Sequence, residues 1–274
     1  MVYSNLRPAE ALLRLSRLGI PYVELSYDNF STLRKSGIDF TTLVNEVMNI
    51  HSSISSKVLI GHLPYGELIN KAVVVSEQDK VIRELRRWVE FYSNVGIKVA
   101  AIHIPYQLAG PSDTSITFPQ KIRDSCILFF KSLVKLGREY SLVLAVENRF
   151  ERGIFGYLPY DLLDIINSVG DDYLRLCLDV GHAHINGISP KEYYKILHPN
   201  VVLIHLHDND GSKDLHLPPY LGGIDWDGFL STLKQLGYNG NYVLEVLCND
   251  NIQRCDNIVN LLKILSNYLI NSLP

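Results

Sequence analysis

The chain has 274 residues, with 26 Lys+Arg against 29 Asp+Glu and nine His, a formal net charge of −3. Hydrophobic residues make up 47% and charged residues 20%, which excludes disorder, collagen-like repeats and coiled coil and supplies material for a large core. The slightly acidic balance gives no general attraction to nucleic acid, leaving only a local basic groove for that role.

The N-terminal MVYSNLRPAE has no signal-peptide core, and no apolar run approaches the ~18 residues of a membrane span. A cytoplasmic protein without membrane contact is expected. A short strand is predicted at Val2-Tyr3-Ser4, then a helix ending at Leu18-Gly19. Short β-rich runs follow at Tyr22–Leu25, Lys57–Ile60 and Val99–Ile102. Between the last two, Val81, Ile82, Leu85, Trp88, Val89 and Tyr92 mark one face of a helix that ends at Val95-Gly96. Further runs lie at Leu142–Val146, Leu174–Leu178, Val201–Ile204 and Tyr242–Val246, with helices ending at Leu136-Gly137, Val169-Gly170 and Leu236-Gly237. Each apolar-Gly pair reads as a left-handed helix cap, because glycine has no Cβ to clash there. Near-continuous apolar strands belong to a parallel sheet buried on both faces. Eight strands alternating with helices predict an α/β fold, a single (β/α)₈ TIM barrel domain over residues 1–274. An open doubly wound sheet is disfavoured because no G-x-G-x-x-G follows the first strand. Cys126, Cys177, Cys248 and Cys255 form no C-x-x-C pair and read as reduced thiols in a reducing compartment. Oligomeric state is left open, a homo-oligomer included.

The strand ends carry His62, His103, Glu147, Asp179, His207 and Glu245. In a barrel those ends converge on one mouth, where active sites are built. Each alone has a bland reading, as a hydrogen-bonded histidine or a helix cap, but none of the six is Lys or Arg. Converging carboxylates repel by about 4 kcal/mol per pair at ~4 Å and an effective dielectric of 20. Either some are protonated or a cation neutralises them. Carboxylates with neutral imidazoles suit Mn²⁺, Mg²⁺, Co²⁺ or Zn²⁺, and the predicted ligands are Glu147, Asp179, His207 and Glu245. His205 shares a face with His207 and is the other choice at that position. His182, Asp214 and His216 form a two-His, one-carboxylate set that reads as a Zn²⁺ site or as a hydrogen-bonded lid. His62 and His103 either support a further ion with Glu147 or contact substrate.

The segments Leu144–Asn148, Cys177–Ala183, His205–Gly211, Asp214–Pro219, Ile224-Asp225-Trp226 and Leu244-Glu245 resemble the xylose-isomerase-like TIM barrels. That superfamily includes sugar and sugar-phosphate isomerases and epimerases, and abasic-site nucleases of the endonuclease IV type. For the former, the resemblance implies one divalent ion on Glu147, Asp179, His207 and Glu245. Glu147 and Glu245 then double as acid/base groups for proton transfer through a metal-bound cis-enediolate. For the nuclease it implies three zinc ions: on His62, His103 and Glu147; on Glu147, Asp179, His207 and Glu245; and on His182, Asp214 and His216. At the central position His207 pairs in a His-x-x-Asp pattern with Asp210, and His205 with Asp208. The loop Asn148–Gly153 departs from the small-residue loop of the nuclease, and the stretch Asp208–Trp226 looks isomerase-like, whereas His62-Leu63-Pro64-Tyr65 looks nuclease-like. The sugar enzyme is the favoured reading. It takes a small sugar or sugar phosphate, with His103, His182 and His205 orienting hydroxyls. Arg149 and Arg152 are candidates for a phosphate or carboxylate tail. Tyr65, Tyr106, Phe150 and Trp226 are candidate pocket walls. Nucleic acid is a partner only under the nuclease alternative.

Overall fold

The computed structural model describes residues 2–35, 37–107, 118–248 and 250–272. Seven parallel strands, β1 (Tyr22–Ser26), β2 (Lys57–His62), β3 (Val99–His103), β4 (Val143–Glu147), β5 (Leu174–Asp179), β6 (Val201–Leu206) and β7 (Asn241–Leu244), pair in sequential order. Helices surround them: α1 (Pro8–Arg17), α2 (Tyr27–Lys35), α3 (Phe40–Ile50), α4 (Glu67–Asn70), α5 (Gln78–Asn94), α6 (Phe118–Tyr140), α7 (Pro159–Val169), α8 (Val180–Ile185), α9 (Pro190–Leu197), α10 (Trp226–Gln235) and α11 (Ile252–Ser272). The result is a nearly closed TIM barrel of the α/β class. Among the described residues, no helix is long and apolar enough to cross a membrane.

The expected strand at Val2-Tyr3-Ser4 is not formed; these residues are in turns. Tyr3 instead packs with Ala11, Cys248, Cys255 and Val259, and its hydroxyl donates to Asp256 at 2.5 Å. The N-terminal segment thus joins the β7–α11 region through side chains rather than through a strand ladder.

The glycine caps hold at Gly19, Gly96, Gly170 and Gly237, all with positive φ. Gly137 is a correction, since it lies inside α6. A Cβ there would come within 2.7 Å of the Leu142 carbonyl oxygen, so this glycine answers to close approach between helix and strand, not to a left-handed turn. Two cysteines are also corrected. Cys248 and Cys255 form a disulfide between β7 and α11, with Cα atoms 5.7 Å apart. Their spacing matches no familiar motif, and the turn into α11 brings them together. Cys126 and Cys177 are free and buried. Two bonded cysteines remove the ground for reading the compartment from reduced thiols.

Inside the barrel, Ile60, Ala101, Ala145, Cys177 and Leu203 form one layer, with Val243 packed against it. Side chains alternate along a strand, so the next inward layer toward the carboxyl ends is His62, His103, Glu147, Asp179, His205 and Glu245. The register agrees: His103 pairs with Glu147, and Asp179 with His205. A shift between Leu176 and Cys177 skips one residue of β6. That shift places His205, rather than Ile204, beside Asp179.

Candidate metal centre

Glu147 is the hub. It ends β4 and is 2% exposed. One carboxylate oxygen lies 3.1 Å from His62 Nε2 and 3.3 Å from His103 Nε2; the other lies 3.5 Å from His182 Nδ1 and 3.7 Å from His205 Nδ1. Glu245 follows β7 and reaches the same His205 nitrogen at 3.1 Å, with Asp179 4.0 Å from it. The acidic residues predicted to converge therefore do so, around His205.

His207, the predicted fourth member, lies elsewhere. It is one residue beyond β6, a layer further out. Its Nε2 is 3.0 Å from both Asp179 oxygens and 3.7 Å from Asp214, and its ring stacks on His216 with centroids 4.0 Å apart. Two residues along a strand separate side chains by about 6.5 Å, and this is the physical distinction between His205 and His207 that alternation alone does not resolve. His182 Nε2 and His216 Nε2 lie 3.5 and 3.1 Å from the same Asp214 oxygen. The second predicted cluster is thus assembled, and His207 adjoins it.

The ring nitrogens that face backbone carbonyls identify the tautomers. His62 Nδ1 faces the Leu63 carbonyl at 3.0 Å, His182 Nδ1 the Asn148 carbonyl at 2.8 Å, and His216 Nδ1 the Glu245 carbonyl at 2.8 Å. A carbonyl only accepts, so each Nδ1 carries a proton, and a neutral ring then turns a lone pair at Nε2 toward a carboxylate. His205 is the mirror case: its Nε2 faces Glu24 at 3.2 Å, and its buried Nδ1 has no hydrogen-bond partner. Lone pairs facing carboxylates repel unless a proton or a cation lies between them. Histidines that ligate metals are held by carbonyls and carboxylates in this way, so the donor set fits divalent ions. Glu147, Asp179, His205 and Glu245 are the first candidate ligands; His182, Asp214 and His216 are the second.

Without an ion, protons take that place. Burial alone would lower the histidines, but the carboxylates outweigh it: Glu147 lifts His62 to about 9, Asp179 and Asp214 lift His182 to about 10, and Asp214 lifts His216 to about 9. Conversely, burial would raise Glu147 and Glu245, but His205, with His103 beside Glu147 and His216 beside Glu245, holds both well below the usual carboxylate range. A histidine raised above its unfolded value of ~6.5 stabilises the fold fully below that pH and loses the contribution as pH rises through its folded value. The metal-free protein should therefore lose thermal stability between pH ~6.5 and about 10. Zinc affinity should rise over the same interval as protons leave. Thermal melts in chelator and in zinc check this; a flat or rising metal-free curve contradicts it.

The loop from His207 to Asp225 is fastened by an Asp208–Leu217 bridge with backbone bonds of 2.8 and 2.9 Å. The Asp208 carboxylate accepts from Ile224 N at 3.2 Å and Trp226 Nε1 at 2.7 Å. Trp226 is therefore an anchor behind this loop, where the sequence predicted a pocket wall. Tyr65 stacks on His103 and Phe150 lies against His182, with centroids 4.9 and 5.2 Å apart, so both border the site. The two arginines predicted to hold an anionic tail have other partners. Arg149 is buried, bound in a two-point fork by Glu151 and stacked over Tyr106 at 4.3 Å. Arg152 donates to the Asn186 carbonyl at 2.6 Å.

Sequence reading does not single out Glu24 or Asp28. Glu24 holds His205, and Asp28 accepts from the Tyr65 hydroxyl. The available signal at Glu24 was a charge inside an otherwise apolar strand. Asn148, quoted only within a motif, locks β4 to β5. Its side chain accepts from Asp179 N at 2.7 Å and donates to Asp179 O at 3.0 Å.

Residues 12–266 match the profile of the xylose isomerase-like TIM barrel family. The chain belongs to that family. Among curated relatives, an uncharacterized protein of Methanocaldococcus jannaschii is 26% identical over 215 residues, covering 77% of this chain and 70% of that one. The L-ribulose-5-phosphate 3-epimerase UlaE of Shigella flexneri is 26% identical over 251 residues, covering 85% and 80%. Among solved structures, a D-tagatose 3-epimerase-like protein superposes with a TM-score of 0.74 at 21% identity, covering 92% and 89%. The IOLI protein with a bound zinc atom superposes at 0.72 and 17%, covering 98% and 94%. At these identities the two structures establish the shared barrel.

Proposed function

We propose that this member of the xylose isomerase-like family is a divalent-metal-dependent isomerase or epimerase of a small sugar or sugar phosphate. The observation that carries the reading is the placement of two glutamates, the buried Glu147 and the partly buried Glu245, at the ends of separate strands with both carboxylates near one imidazole nitrogen, 3.7 and 3.1 Å from His205 Nδ1. Isomerisation needs one acid/base group beside the reacting carbons and epimerisation needs one on each face of the inverted carbon, and two such carboxylates can serve either. The curated relative UlaE, an epimerase of a ketose phosphate, supports the same class.

Glu147, Asp179, His205 and Glu245 would hold the catalytic ion. When bound, a divalent ion supplies Lewis-acid polarisation of a carbonyl and acidifies the adjacent C–H. The chain's own residues do the rest. One glutamate takes the proton from carbon. The proton returns to the neighbouring carbon in an isomerisation, or is supplied by the other glutamate on the opposite face in an epimerisation. His103 and His182 lie where they can orient hydroxyls, and Tyr65 and Phe150 border the site and limit access of water to it. With Arg149 committed to Glu151, its fork is not open to a phosphate.

The second reading is a zinc phosphodiesterase of the abasic-site nuclease kind. It draws on the assembly of three ligand groups, including His62, His103 and Glu147 with ligand atoms within 4.8 Å of one another. Incubation in deuterium oxide with manganese and a panel of ketoses and ketose phosphates separates the two. Deuterium is expected at a carbon adjacent to the carbonyl of one of them. Cleavage of abasic DNA with no exchange into any sugar would overturn the proposal.

A further inference from the structure

Of the histidines at the mouth, His103 is held differently. His62, His182 and His216 give an Nδ1 proton to a carbonyl, and His205 gives an Nε2 proton to a carboxylate. His103 Nδ1 instead faces Arg149 Nη1 at 3.2 Å. A guanidinium has five N–H groups and no acceptor. The only hydrogen bond this pair can make runs from Arg149 to His103, so His103 Nδ1 is the lone-pair nitrogen. The ring's proton is then on Nε2, pointing at Glu147 3.3 Å away. A doubly protonated His103 would set an N–H against an N–H and is excluded by the same contact.

The arginine cannot easily leave. Its side chain is 6% exposed and forked by Glu151 on the far side. Tyr106 lies under the guanidinium, and Gly156 packs so closely that a Cβ there would come within 3.3 Å of Arg149 Cγ. Tyr65 stacks on the His103 ring at an interplanar angle of 19°, which restrains rotation.

We propose that Arg149 is a positioning residue that fixes His103 as an N–H donor and so removes it from the ligand set of any ion bound at Glu147. A protonated ring nitrogen has no lone pair to give a metal. His62 and Glu147 alone then offer too few ligands for a third ion. His103 Nε2–H is left to donate to Glu147 or to a hydroxyl of the bound sugar. The inference rests on the metal-binding reading above but not on sugar turnover.

The test is a long-range ¹H–¹⁵N spectrum of the metal-free, ¹⁵N-labelled full chain, followed by zinc titration. In the unsubstituted protein, His103 should show a lone-pair-type Nδ1 and a protonated Nε2, unchanged at saturating zinc, while the His205 Nδ1 signal moves. Arg149→Met should free His103 to take either tautomer and raise bound zinc by one ion per chain, a gain that His103→Ala in the same background abolishes. If Arg149→Met does not fold, the unsubstituted spectrum still decides. A protonated Nδ1 on His103, or a zinc-induced shift of its Nε2, overturns the proposal whether or not any sugar is turned over. Absence of sugar exchange with the expected spectrum overturns only the activity.

Discussion

Replacing Glu147 or Glu245 with Gln is expected to lower deuterium exchange into the sugar by about 10²–10⁴-fold at saturating metal, the range for losing a positioned general acid or base. Glutamine keeps the shape of each side chain but cannot accept a proton from carbon. The two variants should differ in what else they lose. Glu147 contacts His62, His103, His182 and His205, so Glu147→Gln removes the charge at the centre of the cluster and should also weaken metal binding. Glu245 contacts His205 and leaves its backbone carbonyl to His216, so Glu245→Gln should retain more metal. If the enzyme epimerises, the variants should separate the two half-reactions, one losing exchange in the forward substrate and the other in the product. Exchange at the original rate in either variant, with metal bound, would remove that glutamate from the acid/base role.

The second large effect concerns the two neighbouring histidines of β6. His205→Gln should abolish tight binding at the catalytic site, with a loss beyond about 100-fold, because it removes a ligand. His207→Gln should cost about 10–100-fold, the usual effect of a residue that orients a ligand, here Asp179. Glu24→Gln should fall in the same intermediate range, since Glu24 orients His205 from the other ring nitrogen. Isothermal titration with Mn²⁺ measures all three. Equal losses in His205→Gln and His207→Gln, or a larger loss in the latter, would contradict the assignment.

The barrel was legible because its signal is repetitive. Apolar strands buried on both faces and helices ending in Gly19, Gly96, Gly170 and Gly237 recur along the chain. Most strand-end chemistry was legible for the same reason: His62, His103, Glu147 and Asp179 are the last residues of their strands. What the sequence hides is register and cross-chain partnership. A one-residue irregularity between β5 and β6 decides that His205 faces Asp179, and no periodicity displays such a shift. The Cys248–Cys255 bond arises from the turn into α11, and Tyr3 packs beside it instead of adding a strand. Arg149 looks like a loop charge until Glu151, Tyr106 and His103 are seen around it. In each case a contact between distant residues overrides the local reading.

The most direct measurement is anomalous diffraction from crystals of the full chain soaked in Mn²⁺. A manganese peak is expected in contact with Glu147, Asp179, His205 Nδ1 and Glu245, at ligand distances of about 2.0–2.4 Å. A protein with no ordered ion at those four side chains, or one whose ion is held by His207 in place of His205, would contradict it.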